Sequence, residues 1–135
     1  MLKSMAQRSV LIVDDDAFFH THLSLLLGDH GLKDIRVALN GASALKMMDT
    51  PEWSPDLLIC DVYMPDMDGM EFLTLLSGRN YRGSIVLVSG EDIAMLDLAL
   101  VLGRGLGLNV TEAYAKPITP DQLAHVVQST ISNSA

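Results

Sequence analysis

Three consecutive aspartates, Asp14, Asp15 and Asp16, follow the apolar run SVLIV at residues 9–13. Two carboxylates about 4 Å apart repel each other by roughly 4 kcal/mol at an effective dielectric constant of 20, and a third adds to the repulsion. Neighbouring carboxylates must therefore take up protons or hold a cation. Oxygen ligands that leave room for water and a phosphate favour Mg²⁺, so these aspartates predict a magnesium site.

Three further reactive side chains come at the ends of later apolar runs: Asp61 after PDLLIC, Ser89 after SIVLV and Lys116 after TEAYA. A hydroxyl and an ammonium beside Mg²⁺ can stabilise phosphoryl oxygens. A central carboxylate can act as a nucleophile and form an aspartyl phosphate. Each of these residues alone also fits a helix cap or a turn. The chemical interpretation therefore requires a fold that brings them together.

The hydrophobic pattern predicts strands and helices in alternation. Short runs that are largely apolar are typical of strands buried on both faces, and they cover residues 9–13, 35–39, 56–60, 84–88 and, more weakly, 111–115. Stretches with helical spacing lie between them, at residues 18–27, 41–49, 70–78, 91–103 and 119–131. This order predicts an α/β fold of the (βα)5 type, with a doubly wound, five-stranded parallel sheet. Ligand-binding groups in such sheets gather beyond the carboxyl ends of the strands, where the reactive side chains are expected.

Composition narrows the class of protein. The chain has 135 residues, 49% of them hydrophobic, which is enough for one domain with a packed core. A net charge of −8 and the absence of a Lys/Arg stripe argue against nucleic-acid contact. The single cysteine, Cys60, favours a reducing compartment. The opening MLKSMAQRS lacks the apolar segment of a signal peptide, and no run is long enough to span a membrane, so we expect a cytoplasmic location without membrane contact.

Four stretches of the sequence resemble the receiver domain of two-component response regulators: LIVDDD, LLICDVYMPDMDG, IVLVSGE and AYAKPIT. They occur in the order of that family and cover nearly the whole chain, and DVYMPDMDG is the most specific of them. The resemblance implies a flavodoxin-like receiver fold with strand order 2-1-3-4-5. It divides the chain into an N-terminal leader at residues 1–8 and a single receiver domain at residues 9–133.

The resemblance also implies a signalling role rather than that of an enzyme, although receivers assist their own phosphorylation and dephosphorylation. Asp61 matches the phosphoacceptor, which takes the phosphoryl group from the phosphohistidine of a sensor histidine kinase or phosphotransfer protein. Asp15, Asp61 and the backbone carbonyl of Tyr63 match the ligands of Mg²⁺, and Asp14 matches a residue that acts through water. The output partner or effector domain would bind the face formed by helix 4, strand 5 and helix 5.

Further residues match positions that support the acceptor. Ser89 and Lys116 match the residues that contact phosphoryl oxygens. Pro117 matches a proline that follows a cis peptide bond. Gly90 is expected to leave open space beside the acceptor, and Gly69 to permit the turn into helix 3.

The chain departs from the family at the position three residues before Lys116. Many receivers have an aromatic residue there that rotates inward on phosphorylation, but this chain has Ala113, with Tyr114 one residue later. Neighbouring side chains of a strand point to opposite faces. Either the switch aromatic is absent, which we favour, or a local bulge returns Tyr114 to that role.

The stretch between Ser89 and Lys116 is longer than usual and contains LGRGLGLNV at residues 102–110. It follows no strand and lacks the Gly-Lys-Ser/Thr ending of a phosphate-binding loop, so it predicts a flexible end of helix 4. A long fourth helix followed by GLNV and AKPI resembles the same region of receivers that are joined to EAL-type cyclic-di-GMP phosphodiesterase domains. We expect the unusually long helix 4 to determine partner specificity.

Two other interpretations remain. Asp14 and Asp16 form an Asp-x-Asp motif, as in haloacid dehalogenase-type phosphatases, where Asp14 would be the nucleophile and Asp16 the general acid/base. That reading leaves DVYMPDMDG unexplained, and Asp16 fits better as the N-cap of helix 1. The other alternative is a receiver-like interaction module that is not phosphorylated.

Overall fold

A computed structural model describes residues 4–64 and 66–133 of the chain. The strands are β1 (Ser9–Val13), β2 (Asp34–Ala38), β3 (Leu57–Asp61), β4 (Ser84–Ser89) and β5 (Val110–Ala115). The helices are α1 (Ala17–Asp29), α2 (Gly41–Met48), α3 (Gly69–Ser77), α4 (Ile93–Gly105) and α5 (Pro120–Asn133). Every predicted element is present. Among the helices described, none has both the length and the apolar character needed to cross a bilayer.

The strands form one parallel sheet in the order β2-β1-β3-β4-β5. This confirms the doubly wound fold and the strand order that the resemblance implies. The chain turns outward from β1 to β2 and then crosses back to β3. The carboxyl ends of β1 and β3 therefore border the crevice where open α/β sheets bind ligands.

Side chains that alternate along the strands build two cores, one on each face of the sheet. The α1/α5 core combines strand residues with helix residues, namely Val10, Ile12, Leu57, Ile59, Val86 and Val88 with Phe19, Leu23, Leu27, Leu123, Val126 and Val127. The α2/α3/α4 core does the same on the other face, with Leu11, Val13, Leu58, Cys60, Ile85 and Leu87 against Ala44, Leu45, Phe72, Leu73, Leu76, Leu96 and Ala99. Helices on both faces explain why the central strands are apolar at nearly every position.

Asp16 is the N-cap of α1, as predicted. Its Oδ1 accepts the backbone N–H groups of Phe18 at 3.0 Å and of Phe19 at 3.3 Å. These donors have no partner within the helix, and a carboxylate there also interacts favourably with the helix dipole. The three aspartates after β1 therefore include one that serves the helix.

The glycines of LGRGLG close the C-terminal end of α4 instead of forming a ligand loop. A Cβ atom on Gly103 would lie 2.7 Å from Cγ2 of Val110, so this glycine lets α4 approach β5 closely. Gly107 has a φ angle of +83° and ends the helix in the left-handed conformation that glycine favours. This end of α4 therefore packs against the sheet at the buried residues Gly103 and Leu108, and its predicted flexibility stays a prediction.

Part of the predicted leader packs against the domain. Residues Met5–Gln7 form a 3₁₀ turn, and the side chain of Arg8 is 1% exposed, with its Nη1 3.5 Å from the carbonyl oxygen of Thr130 in α5. The boundary between leader and domain at residue 9 stays a prediction. Residues 1–3 lie outside the described part of the chain.

Candidate functional site

Three carboxylates meet at the carboxyl ends of β1 and β3. Asp14, Asp15 and Asp61 each offer an oxygen atom, and these atoms lie within 4.8 Å of one another. The side chain of Asp14 is 0% exposed and that of Asp61 8%, whereas Asp15 is exposed. Together they form a hard, all-oxygen donor set with one side open to solvent, which suits a magnesium ion.

Lys116 reaches this cluster from the end of β5. Its Nζ lies 2.5 Å from Oδ2 of Asp14 and 3.1 Å from Oδ2 of Asp61. The peptide bond between Lys116 and Pro117 is cis, as the resemblance implies. Since β4 separates β5 from β3, the lysine must pass the end of β4, where Gly90 has no side chain. A Cβ atom on Gly90 would meet Cδ of Lys116 at 3.6 Å. That distance is ordinary van der Waals contact, so the lysine side chain runs beside Gly90, and the role of this glycine stays a prediction.

Burial and charge shift the protonation of the central pair. Burial raises the pKa of Asp61 above its ordinary value, and Asp14 adds to the rise, while the Tyr63 N–H and Lys116 oppose it without cancelling it. Burial alone would lower the pKa of Lys116, but hydrogen bonds and charge from Asp14 and Asp61 raise it overall. The lysine therefore stays cationic, and the ionised Asp61 needs positive charge nearby.

Ser89 lies at the end of β4 and is fully buried. Its Oγ is 3.3 Å from the backbone nitrogen of Glu91 and 3.2 Å from that of Asp92, and it accepts both N–H groups. Asp92 is in turn the N-cap of α4. The serine thus links the rim of the site to the start of α4, and its hydroxyl hydrogen can be donated to a further acceptor.

An open cavity of about 550 Å³ lies above the cluster. It is lined by Asp15, Asp16, Asp61, Tyr63, Met64, Gly90, Glu91 and Lys116. Among the three clustered carboxylates, Asp61 both lines this cavity and forms an ion pair with Lys116, whereas Asp14 does not line the cavity and Asp15 is not paired with the lysine. The cavity has room for an ion, water and a phosphoryl group.

Two residues, Gly69 and Asp66, hold the loop after Asp61. The sequence analysis expected Gly69 to permit the turn into helix 3. A Cβ atom on Gly69 would lie 2.8 Å from Cα of Val62, so glycine is needed there for close packing and not for the turn. The Asp66 carboxylate accepts the N–H groups of Gly41 at 3.1 Å and Ala42 at 2.9 Å, which fastens the loop to the N-terminus of α2. Sequence reasoning missed Asp66 because no local pattern pairs it with α2.

Tyr114 lies on the other face of the sheet from Ala113. Tyr114 packs against the α1/α5 core and Ala113 against the α2/α3/α4 core. A bulge does occur in β5, where Thr111 is the extra residue between the pairs Ile85–Val110 and Val86–Glu112. Because the bulge precedes both residues, it leaves Ala113 on the α4 side, and Tyr114 does not take the place of the switch aromatic.

Comparison with known proteins decides the family. The family model described as "Response regulator receiver domain" matches residues 10–128. The chain belongs to the response regulator receiver family. It is a receiver domain of the two-component type, with the acidic pocket that is typical of a phosphoacceptor site. Receiver domains are signalling phosphoacceptors that typically bind Mg²⁺ and interact with histidine kinases or phosphotransfer proteins and with effector domains.

The curated relatives of this chain include proteins of similar length and much longer ones. The receiver is 30% identical over 130 residues to the chemotaxis protein CheY of Bacillus subtilis, covering 95% of this chain and 100% of that one. It is 28% identical over 118 residues to the regulator of RpoS of Escherichia coli K12, covering 87% of this chain but 33% of that protein. The chain thus spans about a third of the length of the latter.

Solved structures share the fold. A CheY-like receiver domain from Methanospirillum hungatei JF-1 superposes with a TM-score of 0.79 at 20% identity, covering 94% of this chain and 95% of that one.

The phosphatase interpretation is not supported, because the receiver match includes DVYMPDMDG and Asp16 caps α1.

Proposed function

We propose that Asp61 of this receiver accepts a phosphoryl group from the phosphohistidine of a sensor histidine kinase or phosphotransfer protein. The observation that carries the proposal is that Asp61, among the clustered carboxylates, both lines the cavity and contacts Lys116. Family membership supports the same assignment. We also propose that this domain is located in the cytoplasm, where it meets the catalytic region of its partner kinase.

The transfer uses the two oxygens of Asp61 differently. Oδ1 accepts the N–H of Tyr63 at 2.9 Å, which fixes the carboxylate, and Oδ2 faces Lys116. One carboxylate oxygen attacks phosphorus, the P–N bond of the phosphohistidine breaks, and its electron pair returns to the imidazole nitrogen. The Lys116 ammonium neutralises one phosphoryl oxygen, and the Ser89 hydroxyl donates a hydrogen bond to another.

The residues fit a magnesium ion. Asp15, Asp61 and the backbone carbonyl of Tyr63 would hold it directly and Asp14 through water, because Asp15, Asp61 and Tyr63 line the cavity and Asp14 does not. When bound, Mg²⁺ offsets the negative charge of the carboxylates and of the phosphoryl oxygens. Pro117, Gly90 and Gly69 support this arrangement by placing the lysine and the acceptor loop.

Output would pass through Ser89 to α4. When the serine turns toward a phosphoryl oxygen, its hydrogen bonds to the N–H groups of Glu91 and Asp92 weaken, and the start of α4 is free to shift. Apolar side chains cover the outer surface of α4, with Leu98 60% and Val101 71% exposed. We propose that the α4–β5–α5 face binds the output partner or effector domain. An EAL-type parent protein stays a prediction.

Site mapping tests the proposed acceptor. The protein is incubated with acetyl phosphate and Mg²⁺, and its intact mass is measured for the addition of one phosphoryl group. Borohydride then reduces an aspartyl phosphate to homoserine, and peptide mass spectrometry locates the reduced residue. We expect reduction at Asp61. Reduction at Asp14 would favour the phosphatase chemistry, and no adduct from acetyl phosphate or from a phosphorylated kinase would favour a pure interaction module.

We expect Mg²⁺ to bind more weakly as the pH falls. Burial raises the pKa of Asp61, so a proton competes with the metal at a higher pH than at an ordinary carboxylate. Affinity should rise with pH while Asp61 loses its proton and then level off. Magnesium titrations followed by amide NMR shifts between about pH 4 and pH 8 measure this. An affinity that is equal across this range, or higher in acid, would contradict it.

A further inference from the structure

The ammonium group of Lys116 lies over the aromatic ring of Phe19. Nζ is 4.4 Å from the ring centroid. The face of an aromatic ring carries partial negative charge and attracts a cation within about 6 Å. Phe19 is 8% exposed and the Lys116 side chain 15%, so water screens this contact little.

The ring completes the surroundings of the ammonium. An ammonium group has three N–H donors. Asp14 and Asp61 accept N–H groups on one side of the Lys116 ammonium. Phe19 covers another side with an apolar surface that offers no hydrogen-bond acceptor. A lysine held in this way has few alternative positions, because leaving the carboxylates would also mean leaving the ring.

The position of Phe19 depends on the third aspartate after β1. Asp16 caps α1 and accepts the N–H of Phe19, which fixes the first turn of the helix. The ring then packs into the α1/α5 core beneath the site. Asp16, which binds no metal in the proposed scheme, is thereby connected to the acceptor through Phe19 and Lys116.

We propose that Phe19 is a positioning residue for phosphoryl transfer, whose ring holds the Lys116 ammonium against Asp14 and Asp61. This inference rests on the proposed function of Asp61 and Lys116. Phe19 does not touch the reacting atoms and acts through the lysine. Without the ring, the ammonium is less often placed to neutralise the phosphoryl oxygen in the transition state.

The test compares Phe19→Leu, which keeps an apolar side chain but removes the ring, with Phe19→Tyr, which keeps the ring. The rate of adduct formation from acetyl phosphate at saturating Mg²⁺ should fall about threefold to tenfold in Phe19→Leu and return to within about twofold of wild type in Phe19→Tyr. Phe18→Leu is the matched control, since Phe18 is the adjacent aromatic residue and is 81% exposed. Its rate should equal that of wild type.

Two measurements separate positioning from a general structural effect. The protons on Cε of Lys116 should show an upfield ring-current shift in wild type and in Phe19→Tyr, and lose it in Phe19→Leu. The Mg²⁺ dissociation constant of Phe19→Leu should be no higher than that of wild type, because the carboxylates are unchanged. If Phe19→Leu does not fold, Phe19→Met replaces it.

Several results would overturn the inference: an unchanged rate in Phe19→Leu, an equal loss in Phe19→Tyr, weaker Mg²⁺ binding, or no ring-current shift in wild type. If wild type itself forms no adduct, the proposed function fails. The ring-current comparison then still decides whether Phe19 holds Lys116.

Discussion

Asp61→Asn is expected to abolish phosphorylation without weakening the fold. An asparagine amide is too poor a nucleophile to form the acyl phosphate. Burial raises the pKa of Asp61 in the folded protein. Ionising this carboxyl group therefore lowers the free energy of unfolding as the pH rises above the ordinary pKa of an aspartate. Asparagine removes that cost, and Lys116 keeps Asp14 as a partner. In the absence of Mg²⁺ at neutral pH, the variant should therefore have a higher free energy of unfolding than wild type.

Intact-mass measurement after acetyl phosphate and Mg²⁺, together with urea denaturation, tests both parts. Asp16→Asn is the matched control, because asparagine caps a helix about as well as aspartate and Asp16 is not assigned a chemical role. It should still form the adduct. An adduct on Asp61→Asn, or its loss in Asp16→Asn with the fold intact, would contradict the assignment of the acceptor.

Lys116→Met is expected to impair both stability and phosphoryl transfer. Asp14 is fully buried, and its ion pair is with Lys116. Removing one partner of a buried pair leaves an uncompensated charge, and we expect the free energy of unfolding without Mg²⁺ to fall by about 3 to 5 kcal/mol. The loss should shrink in acid, where a proton on Asp61, whose pKa burial raises, removes part of the uncompensated charge. Loss of the ammonium should also slow adduct formation by about 100-fold.

Added Mg²⁺ should restore more stability to Lys116→Met than to wild type, since a cation that binds only the folded state replaces the missing charge. Urea denaturation with and without Mg²⁺ measures this difference. Lys46→Met, at an exposed position of α2, serves as the control and should change stability by less than about 0.5 kcal/mol. Equal stability of Lys116→Met and wild type without Mg²⁺ would show that the pair does not neutralise Asp14.

The side chains at Ala113 and Tyr114 distinguish this receiver from those that use an aromatic switch. Ala113 lies on the α4 side of β5 and Tyr114 on the α5 side, where its neighbours include Glu112. The hydrogen bonds from Glu91 and Asp92 to Ser89 connect the acceptor rim to α4 directly. Coupling by this route needs no rotating ring. Specificity would then depend on the apolar outer surface of α4.

The sequence by itself determined the order of strands and helices and the reactive residues at the strand ends. These are local properties: the hydrophobic period identifies each element, and the end of an apolar run identifies the residue at its edge. The N-cap role of Asp16 is local in the same sense, because its partners Phe18 and Phe19 are two and three residues away. The family resemblance added the strand order, which periodicity alone does not contain.

Only the tertiary structure decided how the other two aspartates after β1 differ. Asp14 is buried and paired with Lys116, whereas Asp15 is exposed, although the two are neighbours in the sequence. The contacts that make the difference join residues far apart in the chain. Lys116 and Asp61, for example, are 55 residues apart, and they meet because the lysine crosses the end of β4. Strand register, the path over Gly90 and the packing of α1 place these groups, and none of the three has a local signal in the sequence.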